Sequence, residues 1–122
     1  MFIMREHVDQ NDMVRLILDA LDDGKAVNTV VLDVEKISSF TDFMVVSSGR
    51  SVRQVKSLIR RVRDTLSERR LRPIGVEGES TGDWVILDYG EVVVHIMQPA
   101  AREFYQLERL WGELGKPNSR NQ

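Results

Sequence analysis

The most constraining stretch of this chain is a pair of short apolar runs, Trp84 to Leu87 and Val92 to Met97, separated by Asp88-Tyr89-Gly90-Glu91. Runs of that length suit strands, and a short gap containing glycine suits a turn, so the two read as an antiparallel pair. Gly90 supplies the backbone conformation that most residues resist. On the second run, Val92, Val94 and Ile96 share one face and read as core, while Val93, His95 and Met97 share the other. Pro99 ends the strand, because it has no N–H for a ladder bond, and it is shaped to begin a helix. The helix expected over Ala100 to Leu114 places Phe104, Leu107 and Trp111 at helical spacing, which reads as packing. The stretch from Gly82 to Trp111 holds both tryptophans, both tyrosines and one of two histidines, so aromatic surface and candidate function coincide there.

The remaining chain supplies the layers around that hairpin. Met13, Leu16, Ile17, Ala20 and Leu21 predict a helix over Asn11 to Leu21, capped by Asp9 or Asn11 and closed by Gly24 as a left-handed residue. Val27 to Val34 is β-branched and continuous enough for an interior strand. Lys36 to Thr41 reads as a polar connection and Asp42 to Ser47 as a second apolar run. Ser47-Ser48-Gly49-Arg50-Ser51 is loop chemistry, with Ser51 as N-cap of a long helix reaching about Arg70. In that helix Val52, Val55, Leu58, Ile59, Val62 and Leu66 form one apolar stripe. Pro73 ends it, and Ile74 to Val76 is a short edge strand. The order α-β-β-α-β-β-β-α predicts an α/β fold, a layered sandwich with a five-stranded mixed sheet flanked by helices. Residues 1–114 form one domain in this reading, and residues 115–122 a disordered tail. Strand order does not follow from the pattern.

Several function classes drop out early. The chain has no cysteine, which removes disulfide scaffolds, thiol catalysis and cysteine metal sites. No apolar run approaches the roughly 20 residues of a membrane span. The first residues, MFIMREHVDQND, suit neither a signal peptide nor an Arg-rich transit peptide, so a cytoplasmic setting is expected. Charge is unevenly spread. Arg50 to Arg72 carries nine Lys or Arg against two acids, whereas the rest has eight bases and seventeen acids.

Asp33 and Glu35 stand at i and i+2, a spacing that puts two carboxylates on one strand face, as magnesium-dependent nucleotidyl transfer requires. That chemistry also wants a Gly-Ser phosphate loop upstream and a third carboxylate, and the upstream segment is Gly24-Lys25-Ala26-Val27. Solvated acids are the better reading. Ser47 to Ser51 before a helix suits an anion, yet no P-loop spacing is present and plain capping accounts for it. No Gly-x-Ser-x-Gly occurs, and only His7 and His95 are available as a base. His95 lacks neighbours at metal-ligand spacing, so it is either a packing histidine or part of a contact surface. The arginines of the long helix are not interleaved with aromatics, which leaves RNA binding as an alternative without a fingerprint. Trp84, Tyr89 and Tyr105 are types that carry energy at protein interfaces.

The blocks LDVEKISSFTDFMVVSSGRSVRQVKSL and GDWVILDYGEVVVHIMQPAAREFYQLERLW resemble the ribosomal silencing factor family, also called Iojap-like, over roughly Asp12 to Glu113. The resemblance implies a nucleotidyltransferase-like fold without catalytic residues, no cofactor and no enzymatic activity. It implies a factor that binds the large ribosomal subunit through large-subunit protein fourteen, blocks subunit joining and represses translation when nutrients are scarce. It also implies a homodimer when free, with incidental contact between the Arg50–Arg72 helix and ribosomal RNA. Carried onto this chain, the docking residues are expected to be Trp84, Leu87, Asp88, Tyr89, His95 and Met97, with Tyr105 and Glu108 after them. The alternatives are an RNA-binding or a nucleotidyl-transfer protein.

Overall fold

The structure, a computed structural model, describes the backbone of residues 10–105 and the side chains of residues 11–102. The expectations for His7, Phe104, Leu107, Glu108, Trp111, the Tyr105 side chain and the tail lie outside the described residues.

Helix α1 (Gln10–Asp23) forms because Met13, Val14, Ile17, Ala20 and Leu21 recur at helical spacing, and all five are buried. Its end departs from expectation. The left-handed residue is Lys25 (φ 66), with Ala26 N–H donating to Leu21 O and Lys25 N–H to Asp22 O. Gly24 is needed for space instead: a Cβ there would lie 2.6 Å from Leu58 Cδ2 of the next helix. That helix, α2 (Val52–Ser67), starts as expected, with Ser51 Oγ accepting from Gln54 N–H. Gln54 Nε2 also donates to the carbonyls of Gly24 and Lys25, which ties the start of α2 to the end of α1. Arg70 (φ 64) closes α2 with the same pair of bonds, Leu71 N–H to Leu66 O and Arg70 N–H to Ser67 O. The helix therefore stops before Pro73 is reached.

The strands are β1 (Val27–Asp33), β2 (Phe43–Ser48), β3 (Gly75–Glu77), β4 (Trp84–Asp88) and β5 (Val92–Met97). Their order is β1-β2-β5-β4-β3, with β2 parallel to β5 and every other pair antiparallel. The sheet is thus mixed, as the hairpins and crossovers implied. Two expectations about strands need correcting. β1 is an edge strand: its ladder is broken by a bulge between Val27 and Val30, and Asn28 takes a positive φ of 53. Its β-branched run reflects strand propensity without the burial of an interior position. Ser48, expected in the loop, belongs to β2 with Ser47 of the expected second run, and both are buried because their hydroxyls are paired: Ser47 with Thr29 at 2.6 Å, Ser48 with Arg102 at 3.0 Å.

Both α1 and α2 pack on one face of the sheet. Val45, Val85, Leu87, Val92, Val94 and Ile96 meet the apolar stripes of the two helices there. On the other face a smaller cluster of Met44, Val46 and Met97 packs with Leu32, Trp84 and Ala101, the last from α3 (Pro99–Tyr105).

Candidate functional site

Strand alternation sends Trp84, Ile86 and Asp88 of β4 and Val93, His95 and Met97 of β5 to the face away from α1 and α2. The register sets Trp84 opposite Met97 and Ile86 opposite His95. Trp84 and His95 are therefore diagonal neighbours, and the Trp84 indole N–H donates to His95 Nδ1 at 2.9 Å. The two rings lie 5.8 Å apart at 39°. Nδ1 can accept only when it is unprotonated, so this bond selects the neutral imidazole with its proton on Nε2. His95 is 6% exposed, and burial pushes its pKa down to about 4. His95 is thus a packing histidine that also orients an aromatic neighbour.

Around this pair the buried Met44 and Val46 of β2, with Leu32 of β1, extend the apolar packing on this face. The expectations missed them. The signal was present: residues two apart on a strand share a face, and β2 alternates its aliphatic side chains between the two layers. Ile86, Asp88 and Val93 are half-buried at the open end of the same face. The turn beyond is fixed by Asp88 Oδ1, which accepts from Gly90 N–H at 2.8 Å, and Gly90 takes the expected positive φ of 87.

The start of α3 is fastened to this face at two points. Gln98 donates from its backbone to Asp83 O at 3.0 Å and from Nε2 to Asp83 Oδ1 at 3.1 Å. Arg102, 8% exposed, donates from Nη1 to Ser48 Oγ at 3.0 Å. Between Pro73 and Ala101 the sequence has five acids and no Lys or Arg. Of these acids Asp88 lies on this face, whereas Glu79 pairs with Arg63 on the other side of the sheet.

Of the expected docking residues, Trp84, Asp88, His95 and Met97 share this face, with Trp84 and Asp88 half-buried and His95 and Met97 buried beneath it. Leu87 and Tyr89 do not belong to it. Leu87 is fully buried on the opposite side beneath the helices, because it alternates with Trp84, Ile86 and Asp88. Tyr89 is 8% exposed in the same helix-side core, with its hydroxyl buried and unpartnered among the described residues. Burial pushes its pKa up to about 12, against the opposing pull of the Arg63 guanidinium.

The alternative sites resolve differently. Asp33 is exposed at the end of β1 and its Oδ1 accepts from Glu35 N–H at 3.2 Å, while Glu35 lies in the following turn. The two carboxylates therefore do not share a strand face. Among the described residues no group of three His, Asp or Glu is placed to hold a metal ion, and no helix is long and apolar enough to cross a membrane. The cations of α2 stand on the far side of the sheet from Trp84, with Arg53, Lys56, Arg60 and Arg61 exposed. One exposed apolar group was not expected. Phe40 is 86% exposed in the β1–β2 connection, where Ser38 Oγ accepts from the N–H groups of Phe40 and Thr41. Asp42 N–H donates to Glu91 O, so this connection lies beside the β4–β5 turn.

Comparison with known proteins gives a consistent result. The profile of the family described as "Ribosomal silencing factor during starvation" matches residues 7–122. The chain is 42% identical over 101 residues to the "Ribosomal silencing factor RsfS" of Chromobacterium violaceum, covering 83% of each chain. A crystal structure of a protein from Chromobacterium violaceum superposes with a TM-score of 0.84 at 40% identity, covering 86% of this chain and 88% of that one. A mouse protein named "Mitochondrial assembly of ribosomal large subunit protein 1" is 28% identical over 109 residues, covering 87% of this chain and 48% of its own length.

Proposed function

Because the chain belongs to the ribosomal silencing factor family, whose members are ribosome-associated regulators of translation, we propose that it docks on the large ribosomal subunit and holds the small subunit off. The docking partner in this reading is large-subunit protein fourteen. The contact is made by the half-buried Trp84 and Asp88, together with Tyr105 and Glu108, while the buried His95 and Met97 support Trp84 from beneath. The observation that carries the reading is the half-buried Trp84, held by His95 over a buried aliphatic cluster, with Asp88 on the same face. Such a patch suits a partner with an apolar centre and a basic rim. The name of the mouse relative, which refers to the large subunit, supports the choice of particle.

The action proposed is steric. The Trp84 indole is already held by His95, so little side-chain freedom is lost on docking. Once seated, the domain occupies space at the subunit interface and lowers translation without turnover, as suits a cytoplasmic repressor acting under nutrient limitation. The free chain is proposed to pair as a homodimer. The cations of α2 are not needed for this docking, because they lie across the sheet from it.

The test is sedimentation of purified ribosomes with added protein. A stoichiometric dose is expected to shift whole ribosomes towards separate subunits. Trp84→Ala is expected to weaken binding to the large subunit by about 1–3 kcal/mol while the domain stays folded. Undiminished binding by a folded Trp84→Ala protein would misplace the surface, and an unchanged profile at any dose would end the steric reading.

A further inference from the structure

On the side of the sheet away from the docking patch, α2 and the chain leading into β3 enclose an open groove of about 870 Å³. Lys56, Arg60 and Arg72 line it and make no ion pair among the described residues; the fourth cation, Arg63, is paired with Glu79 at 3.4 Å. Asp64 also lines the groove, so cations exceed acids there by four to two. The remaining wall is largely apolar, with Ile59 at the base and Ile74 at the lip, 75% exposed. Gly75 and Val76 of β3 also border the groove, and β3 is the last strand of the sheet, paired with β4 on one side only. Its other side presents backbone donors and acceptors that no strand of the sheet takes up.

We propose that this groove binds an extended acidic segment of a partner protein, which adds a strand to the open edge of β3. Three features favour that occupant over a nucleic acid. No aromatic side chain lines the groove, so nothing is available for bases to stack on. The apolar wall formed by Ile59 and Ile74 gives phosphates nothing, but it suits alternate side chains of a strand. The free edge of β3 offers main-chain hydrogen bonds that a peptide can match residue by residue. The unpaired cations, on the same side of the sheet as Ile59, then select acidic groups among the groove-facing side chains of the added strand. This site does not rest on the docking reading, since it lies across the sheet from Trp84.

A fluorescein-labelled peptide of the repeat Glu-Ser-Val-Ser, which puts glutamate and valine in turn on one strand face, tests the proposal on the intact chain. Binding is expected by anisotropy at low salt, with slowed amide exchange at Gly75–Glu77 in the presence of the peptide. The double substitution Arg60→Glu and Arg72→Glu is expected to weaken binding at least roughly tenfold, and to confer binding of the corresponding lysine–valine peptide. That exchange of preference cannot come from misfolding. Ile74→Asp, at an exposed position, is expected to weaken the glutamate peptide with no change in melting temperature. Any of three results overturns the proposal: no binding of the glutamate peptide, binding without protection at β3, or displacement of the peptide by an oligouridylate of equal charge at lower concentration.

Discussion

His95 gives the sharpest quantitative test of how the patch is built. Its pKa is pushed from the ordinary 6.5 to about 4 by burial beside Trp84 and Met97. A base whose folded pKa is depressed binds fewer protons folded than unfolded, so stability falls as pH drops through the window between the two values. Well above pH 6.5 the group is neutral in both states and costs nothing. At pH 5 the unfolded chain is almost fully protonated at this position and the folded chain mostly not, which corresponds to a loss of about 2 kcal/mol. Below pH 4 the loss levels off at about 3 kcal/mol.

His95→Gln isolates the effect, because a glutamine carbonyl can still accept from the Trp84 indole N–H but cannot take up a proton. Chemical denaturation of both proteins at pH 7.5 and pH 5, followed by tryptophan fluorescence, gives the comparison. Every other group is common to the two proteins, so its contribution cancels in the difference. The parent is expected to lose about 2 kcal/mol more than the variant between the two pH values. Parallel losses, within about 0.5 kcal/mol, would show that His95 is either accessible to water or already charged when folded, and the neutral acceptor in the Trp84 bond would be wrong.

Three other substitutions probe the remaining assignments. Tyr89→Phe removes a buried hydroxyl that has no partner among the described residues, and is expected to leave stability unchanged or raise it by up to about 1 kcal/mol in urea denaturation. Gly24→Ala places a methyl 2.6 Å from Leu58 Cδ2 where α1 meets α2, and is expected to cost about 1–3 kcal/mol by the same assay, with no special φ involved. Phe40→Ser, at a side chain 86% exposed, is expected to change stability by less than about 0.5 kcal/mol; weaker binding of the large subunit would add the β1–β2 connection to the docking surface.

The order of elements, the hairpin turn and the two faces of its second strand were legible because they rest on short-range rules. Period-two alternation sorted Val92, Val94 and Ile96 from Val93, His95 and Met97, and Gly90 marked the turn. What escaped was non-local. The placing of β1 at an edge depends on which strand pairs beside β2, and a valine-rich run looks the same at an edge as in the middle. Leu87 and Tyr89 were expected on the docking surface from the family resemblance of that block, Tyr89 also as an aromatic type common at interfaces. Applying the alternation to β4 as strictly as to β5 would have removed Leu87. The burial of Ser47 and Ser48 depends on Thr29 and Arg102, which are distant in the chain, and nothing local announces those bonds.

The two faces of the sheet answer to different physical demands. Beneath α1 and α2 the side chains of β5 are aliphatic, since any residue there that fills the volume and leaves no polar atom unpaired suffices. On the other face a purely aliphatic residue at position 95 would leave the Trp84 indole N–H to find water or another acceptor. The neutral imidazole instead holds the indole at 2.9 Å, and burial keeps it neutral at physiological pH. A charged histidine there would lose the acceptor and place a cation in the middle of an apolar patch. The pairing of a tryptophan with a suppressed histidine is therefore understandable as a way of presenting a large aromatic surface in one orientation, at the cost of stability in acid.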